Sequence, residues 1–374
     1  MNPHEVVSLN IKRIRASRGI SQTEMAKSAN ISRQAYIDIE SGKTKEPKVS
    51  NLQSIADALE VPIVALFEEP LRLTTVRFRS NSIKTQKEEA KKQQYLIDAA
   101  YWLKNFNYLQ SAVSDKRENK LREIFRKAGN LRTNRPRKAA ESTRLALGLK
   151  EDEPIGDILG LVESASIKIK TQTFDLKNFF GFSISESDGG PAIMVNNRSD
   201  ISIERQIFTV AHELGHLILH PKAYDPAQTD EPDREEKEAD VFAGYFLMPD
   251  EAFKKKFNES YGLGFVDRVL HIKRFFGVSY QAVLHRLSDM ELGDYGKLLS
   301  KFLALYKRQY GESLTLRKEP FPLVKPDFVE DYLMSLVRKA LDKAEITVSR
   351  AAEILNVSLM DMREIINSWA EIAA

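Results

Sequence analysis

The chain has 374 residues, of which 42% are hydrophobic and 29% are charged, proportions typical of a globular protein with two or three domains. No run of about 18 apolar residues occurs, and residues 1–5 lack a signal-peptide pattern, so we expect neither a membrane span nor export. The absence of cysteine excludes disulfides and thiolate metal ligands, and we expect a cytoplasmic protein.

The formal net charge of +3 conceals a strong asymmetry along the chain. Residues 1–150 contain 29 lysines and arginines against 16 acidic residues, whereas the remainder contains 27 against 37. The first part therefore suits a polyanion such as nucleic acid, and the second part does not.

Residues 9–68 have the pattern of five short helices. A capping box at Ser21 and Glu24 opens one helix, and Ser32 caps the next, which ends at Gly42. This pair predicts a helix-turn-helix, in which the start of the second helix faces base edges. DNA contacts are expected from that helix start and from the lysines of the following loop: Arg33, Gln34, Tyr36, Lys43 and Lys45. The alternative is a small helical bundle that contacts protein.

The same segment resembles the Xre/Cro family of repressor domains. The resemblance lies in Ile14-Arg15, Ser21-Gln22, Ile39-Glu40-Ser41-Gly42 and the spacing from Leu52 to Leu59. It implies that Gln22, at the start of the positioning helix, contacts phosphate or base. It also implies that a homodimer binds a double-stranded DNA operator.

A basic stretch follows the helix-turn-helix segment. Residues 116–144 contain eleven lysines and arginines against three acidic residues, which predicts either an extended nucleic-acid footprint or a solvated helix with a basic linker. The aromatic residues before it fall at helical spacing, which favours core or dimer contacts over base stacking. These aromatics are Tyr95, Tyr101, Trp102, Phe106 and Tyr108.

The middle of the chain predicts two helices within residues 139–162 and then three short strands. The strands are expected at residues 167–170, 181–184 and 192–196, with a tight turn at residues 188–190. We expect them to form a small antiparallel or mixed sheet.

The next segment, residues 208–220, predicts a helix with an H-E-x-x-H pattern formed by His212, Glu213 and His216. Histidines four residues apart stack on one helix face, about 6 Å from each other, and can share one metal ion. Glu213 lies at the edge of that face, where it can take a proton from an attacking water. His220 would lie about 12 Å along the axis from His212, too far to share the ion. We expect it to be a helix-end residue.

A third ligand is expected from a second amphipathic helix, residues 234–249, which a proline terminates. Glu236 and Asp240 are four residues apart on one face, so Glu236 can reach the metal while Asp240 accepts a ring N–H of a ligating histidine. Glu235 and Glu238 point about 100° and 200° away from Glu236 and are weaker candidates.

These two helices resemble the ImmA/IrrE family of metallopeptidases over about residues 150–290, through residues 204–216, 236–243 and 247–249. The resemblance implies a zinc-dependent endopeptidase of the gluzincin type, with manganese as a possible metal, that cleaves a DNA-binding repressor in trans or the chain itself. It also implies substrate binding along an edge strand, which we expect to be residues 192–196. The alternative is a transcription factor whose zincin-like domain is a non-catalytic ligand sensor or oligomerisation platform.

Beyond this region the sequence predicts further helices. His271 and His285 are expected to be packing or surface residues, with an oxyanion-stabilising role as the alternative. Residues 346–366 have the cadence of another helix-turn-helix, but few basic residues follow residue 344, which favours a partner-binding or dimer element.

The predicted fold class is mainly α, of the α+β kind, in four consecutive segments. These are a helix-turn-helix domain at residues 1–70, a basic helical linker at 71–145, a zincin-like domain at 146–295 and a helical domain at 296–374.

Overall fold

The computed structural model describes most of the chain: residues 2–18, 20–59, 61–68, 73–77, 85–115, 124, 134–224, 233–315, 318–324 and 330–371. The described helices are α1 (Pro3–Ser17), α2 (Gln22–Ser28), α3 (Arg33–Glu40), α4 (Val49–Ala58), α5 (Gln86–Ala112), α6 (Arg135–Ala146), α7 (Ile158–Ser164), α8 (Ile203–Leu219), α9 (Asp233–Leu247), α10 (Asp250–Glu259), α11 (Phe265–Phe276), α12 (Tyr280–Asp289), α13 (Tyr295–Tyr310), α14 (Tyr332–Asp342), α15 (Val348–Leu355) and α16 (Leu359–Glu371). The described strands are β1 (Val76–Arg77), β2 (Lys168–Gln172), β3 (Gly181–Ile184) and β4 (Ala192–Asn196). The predicted mainly α class with a small sheet is confirmed.

The chain forms two compact units that are each built from separated stretches. One unit, called here the DNA-binding unit after the helix-turn-helix that the sequence predicts in it, contains Met1–Arg72, Gln94–Asp115 and Leu333–Ala374. The other, called here the peptidase unit after the family that its sequence resembles, contains Leu73–Gln93 and Lys116–Tyr332. The sequence-based boundaries divide the chain into four consecutive segments instead, because pattern alone does not reveal which distant stretches pack together.

The DNA-binding unit starts with α1 to α4 and a short 3-10 helix at Ile63–Leu66. The side chain of Ser21 accepts a hydrogen bond from Glu24 N, and that of Ser32 accepts one from Ala35 N, so both predicted caps are present. The apolar faces of these helices pack into one core around the fully buried Ile11 and Met25.

The later stretches of this unit pack through aromatic and polar contacts. Trp102 and Phe106 of α5 are buried and lie edge to face, 5.5 Å apart, as expected for core residues. The C-terminal helices α15 and α16 pack in the same unit. Thr347 caps the start of α15, and Arg350 Nη2 of this helix donates to Asn105 Oδ1 of α5 at 2.7 Å. The tail therefore belongs to this unit.

The peptidase unit contains a mixed sheet with the described strands in the order β1-β3-β4-β2. β3 pairs antiparallel with β1 and β4, and β2 runs parallel to β4. The prediction that residues 192–196 form the substrate-binding edge is wrong, because β4 lies between β3 and β2 and all its residues are buried. The described edge strands are β1 and β2.

Much of the basic stretch lies outside the described residues, at 116–123 and 125–133. In its described part, in α6, Arg137 and Arg144 form hydrogen bonds and ion pairs within the peptidase unit. Arg144 is buried and donates to the carbonyl oxygens of Phe246, at 2.8 Å, and Lys150, at 2.9 Å. Arg137 forms ion pairs with Glu141, at 2.9 Å, and Asp250. None of the described helices is both long and apolar enough to cross a membrane.

Candidate metal centre

The helix that carries the H-E-x-x-H pattern is α8. It is N-capped by Ser202, whose hydroxyl accepts from Arg205 N, and its apolar side is buried in the core of the peptidase unit. Gly215 lets α9 approach closely, since a Cβ at this position would lie 2.9 Å from the Phe242 ring. This close packing brings the acidic side chains of α9 to the histidine face of α8.

The structure brings together the three residues predicted as metal ligands, His212, His216 and Glu236. One potential ligand atom from each lies within 4.8 Å of the others. The two histidine Nε2 atoms are 2.9 Å apart, and the Glu236 oxygens lie 3.4 Å from His212 Nε2 and 3.3 Å from His216 Nε2. Three electron-pair donors therefore converge on one point.

The predicted partner of His212 is also in place. Asp240 Oδ1 lies 2.9 Å from His212 Nδ1. An ionised carboxylate only accepts, so this contact keeps an imidazole proton on Nδ1 and reserves Nε2 for the cation, either a proton or a metal ion, that faces His216 and Glu236.

The electrostatics of the centre favour a bound positive charge. Burial opposes protonation of His212, but hydrogen bonds to Asp240 and Glu236 raise its pKa to about 9. Burial also opposes ionisation of Glu236, yet the two histidines hold the pKa of this carboxyl well below its usual range. Two imidazoles and one carboxylate are a zinc-binding donor set, so the residues present fit zinc.

Glu213 lies beside the ligands and is held by a hydrogen-bond network. Ser183 Oγ of β3 donates to Glu213 Oε2 at 2.5 Å and lies 2.7 Å from the hydroxyl of Tyr224. Burial raises the pKa of Glu213 to about 7, close to the value suited to a general base at neutral pH. Sequence reasoning missed Ser183 and Tyr224, since no spacing rule connects them to α8.

A third residue that sequence reasoning missed is Arg77 of β1, which lies within the segment predicted as a linker. Its side chain is 3% exposed and forms ion pairs with Glu235 and, at 3.2 Å, with the ligand Glu236. The strand is fixed by Asp188, whose carboxylate accepts from Thr75 N at 2.6 Å. Arg77 therefore orients one of the three predicted ligands, Glu236, from a different element.

His220 is the C-cap of α8, as its predicted helix-end position requires. It is also 4% exposed and contacts a ligand, since its Nδ1 lies 3.0 Å from His216 Nδ1. Its Nε2 lies 3.1 Å from Glu238 Oε2. Sequence reasoning missed this contact, although the spacing of four residues from His216 was a signal for it.

A cleft opens in front of the ligands and follows the start of β3. Its lining includes Phe180, Gly181 and Phe208, with the guanidinium of Arg205 4.0 Å from the centre of the Phe180 ring. His285 stacks on Tyr295 instead, with ring centres 3.7 Å apart. Neither His271 nor His285 is among the lining residues of this cleft.

Most of the predicted DNA contacts are on the surface of the DNA-binding unit. The exposed residues are Arg33, Gln34, Lys43 and Lys45. Tyr36 is a correction to the prediction, because it is fully buried in the helical core and its ring cannot reach a base.

Gln22 lies at the start of α2, where the resemblance placed it. Its side-chain amide donates to Glu40, which also accepts from Arg15 Nε at 2.7 Å. This buried carboxylate joins α1, α2 and α3, so Gln22 is oriented by a side chain of α3.

Comparison with models of protein families gives two matches in the chain. Residues 11–66 match the helix-turn-helix family, and residues 162–288 match the IrrE N-terminal-like domain of a peptidase family. A search of curated proteins finds no significant match. The second match spans β2 to β4, the H-E-x-x-H helix and α9, and it does not include Arg77. The chain is therefore a fusion of a helix-turn-helix domain with an IrrE N-terminal-like peptidase domain, as the two resemblances indicated.

Proposed function

We propose that the protein is a DNA-binding transcriptional regulator that carries a zinc-dependent endopeptidase, with manganese as a possible metal. Its substrate is a repressor-type protein in trans or the chain itself. The observation that supports this proposal is the convergence of His212, His216 and Glu236 next to a buried Glu213 whose pKa is raised to about 7.

In this proposal the ligands hold zinc, which when bound supplies the Lewis acidity that polarises a peptide carbonyl and a water molecule. Glu213 accepts a proton from the attacking water and delivers it to the nitrogen of the leaving amine as the C–N bond breaks. Ser183 holds Glu213 Oε2 in place at 2.5 Å. Asp240 keeps the proton of His212 on Nδ1.

The DNA-binding part of the proposal rests on α3 and the loop after it. Arg33 and Gln34 are exposed near the start of α3, where side chains of such helices contact bases in the major groove. Lys43 and Lys45 are exposed as well and suit phosphate contacts. We propose a homodimer on a double-stranded operator, in the cytoplasm.

The test compares wild type with Glu213→Gln by intact mass after incubation with zinc or manganese. Each protein is tested alone, with single-stranded DNA as a trial trigger, and with repressors encoded by neighbouring genes. We expect fragments from the wild type only, because the amide cannot take the proton, while zinc and operator binding persist in the variant.

Equal cleavage by Glu213→Gln would refute the role of Glu213 as the base. If neither protein produces fragments while both bind zinc, the non-catalytic sensor becomes the better interpretation. A change in operator affinity on adding a small ligand would then support that alternative.

A further inference from the structure

A row of side chains runs from the proposed metal ligand His216 through the buried His220 to the half-buried Glu238. The Nδ1 atoms of the two histidines lie 3.0 Å apart, and His220 Nε2 lies 3.1 Å from Glu238 Oε2. The histidines are only 2% and 4% exposed. The contacts of His216 Nδ1 and of both ring nitrogens of His220 are therefore made within this row.

The carboxylate at the end of the row fixes the direction of these hydrogen bonds. An ionised carboxylate only accepts, so Glu238 requires a proton on Nε2 of His220. A neutral His220 then presents a lone pair on Nδ1, which accepts the Nδ1–H of His216. This arrangement leaves a lone pair on His216 Nε2, the atom that lies 2.9 Å from His212 Nε2.

The opposite direction of these hydrogen bonds is incompatible with metal binding by His216. A proton on Nδ1 of His220 would face the Nδ1 of His216 and force the proton of that ligand onto Nε2, where it blocks coordination. It would also turn the Nε2 lone pair of a neutral His220 toward the acceptor Glu238, which is repulsive.

Glu238 is itself held in place by two arginines. Arg234 Nε donates to its Oε1 at 2.8 Å, and Arg135 Nη1 lies 3.5 Å from its Oε2. Arg135 also donates to the carbonyl oxygen of Leu219, at the end of α8. The carboxylate is thus fixed relative to the helix end that carries His220.

We propose that His220 and Glu238 are positioning residues that set the tautomer of the ligand His216. Glu238 keeps the proton of His220 on Nε2, and His220 Nδ1 therefore accepts the Nδ1–H of His216. The Nδ1–H of His212 is accepted directly by the Asp240 carboxylate. One histidine ligand is therefore oriented by a carboxylate and the other by a second histidine. The proposal rests on the metal site of the proposed function, but it concerns metal affinity and needs no peptide cleavage.

The test measures the zinc affinity of the full chain by competition with a chelator. His220→Leu removes the acceptor and is expected to weaken zinc binding by about 10–100-fold, the usual effect of losing such a partner. His220→Asn keeps an acceptor oxygen near the position of Nδ1 and is expected to stay within about threefold of wild type. His271→Leu, the same change at a histidine outside the cleft lining, is the matched control and should leave the affinity unchanged.

A wild-type zinc affinity in His220→Leu would overturn the proposal. Equal losses of zinc affinity in His220→Leu and His220→Asn would also overturn it, because they would show that His220 acts only by filling space in the core. Nitrogen-15 NMR of the zinc-loaded wild type reports which ring nitrogen of each histidine carries the proton, and it does not depend on the folding of a variant. The proton should be on Nε2 of His220 and on Nδ1 of His216, and a proton on Nδ1 of His220 would overturn the relay. A wild type that binds no zinc would refute both proposals, whereas a lack of cleavage alone would refute only the proposed function.

Discussion

The carboxylate of Glu213 depends on a residue that is 30 positions away in the sequence, Ser183. We predict that Ser183→Ala lowers peptide cleavage by about 10–100-fold, because a buried carboxylate that loses a hydrogen bond costs about 1–3 kcal/mol. Zinc affinity should be retained, since Ser183 contacts no ligand. Cleavage kinetics and chelator competition on the same samples measure both quantities.

Ser185 is the matched control for this substitution. It follows β3, and its hydroxyl donates to Thr75 Oγ1 at 2.7 Å, away from Glu213. Ser185→Ala should keep wild-type turnover. Equal rates for Ser183→Ala and wild type would show that Glu213 needs no such donor.

The residues around the candidate metal centre differ in how far the sequence predicts their positions. His212, Glu213 and His216 share one helix, so helical periodicity alone brings them together. Ser183 and Arg77 reach the same site from strands, and their positions depend on tertiary packing that no spacing encodes. Tyr36 was assigned to the DNA surface from its nearness to a helix start, which does not specify the face on which it lies.

The metal centre also depends on how closely two helices pack. α8 carries two of the proposed ligands and α9 the third, and Gly215 is the point of close approach. We predict that Gly215→Ala lowers both zinc affinity and the melting temperature, because its Cβ would press on the Phe242 ring and displace α9 together with Glu236. Thermal unfolding and chelator competition test this.

Gly244 of α9 is the control, since a Cβ there would meet only Arg286 Cδ, at an ordinary 3.6 Å. Alanine has a higher helix propensity than glycine by about 1 kcal/mol, so Gly244→Ala should keep or raise the melting temperature. A stabilised Gly215→Ala with normal zinc affinity would contradict the role of close packing.

The sequence predicts which residues form strands better than it predicts the order of those strands in the sheet. The three predicted strands all form, although residues 192–196 were assigned to an edge. That run of mostly apolar residues is buried throughout in β4, which is the signature of an inner strand and was available in the sequence. β1 could not be predicted, because two residues are too few to show an alternation.

The peptidase unit as a whole contains a buried charge cluster away from the metal. Lys273 Nζ lies 2.6 Å from Glu204 and 3.6 Å from Glu319, whose side chain is 8% exposed. Burial raises the pKa of Glu319 to about 7 from its ordinary 4.5, although Tyr280 N–H and Lys273 oppose the shift. The folded protein thus holds this proton more tightly than the unfolded chain.

The stabilisation from that proton is fully present below about pH 4.5 and is lost as pH rises through about 7. We predict that Glu319→Gln, which cannot ionise, becomes more stable relative to wild type on going from acidic to mildly alkaline pH. Urea unfolding at several pH values, with a chelator present to remove metal linkage, measures the difference. A constant difference across this range would contradict the prediction.

The discontinuous DNA-binding unit has a consequence for synthesis of the chain. This unit includes Leu333–Ala374, whereas all residues of the peptidase unit come before Leu333. During synthesis the peptidase unit, with all three proposed metal ligands, is therefore complete while the DNA-binding unit still lacks one of its three stretches. We therefore expect the nascent chain to be able to bind the proposed metal before its DNA-binding unit is complete.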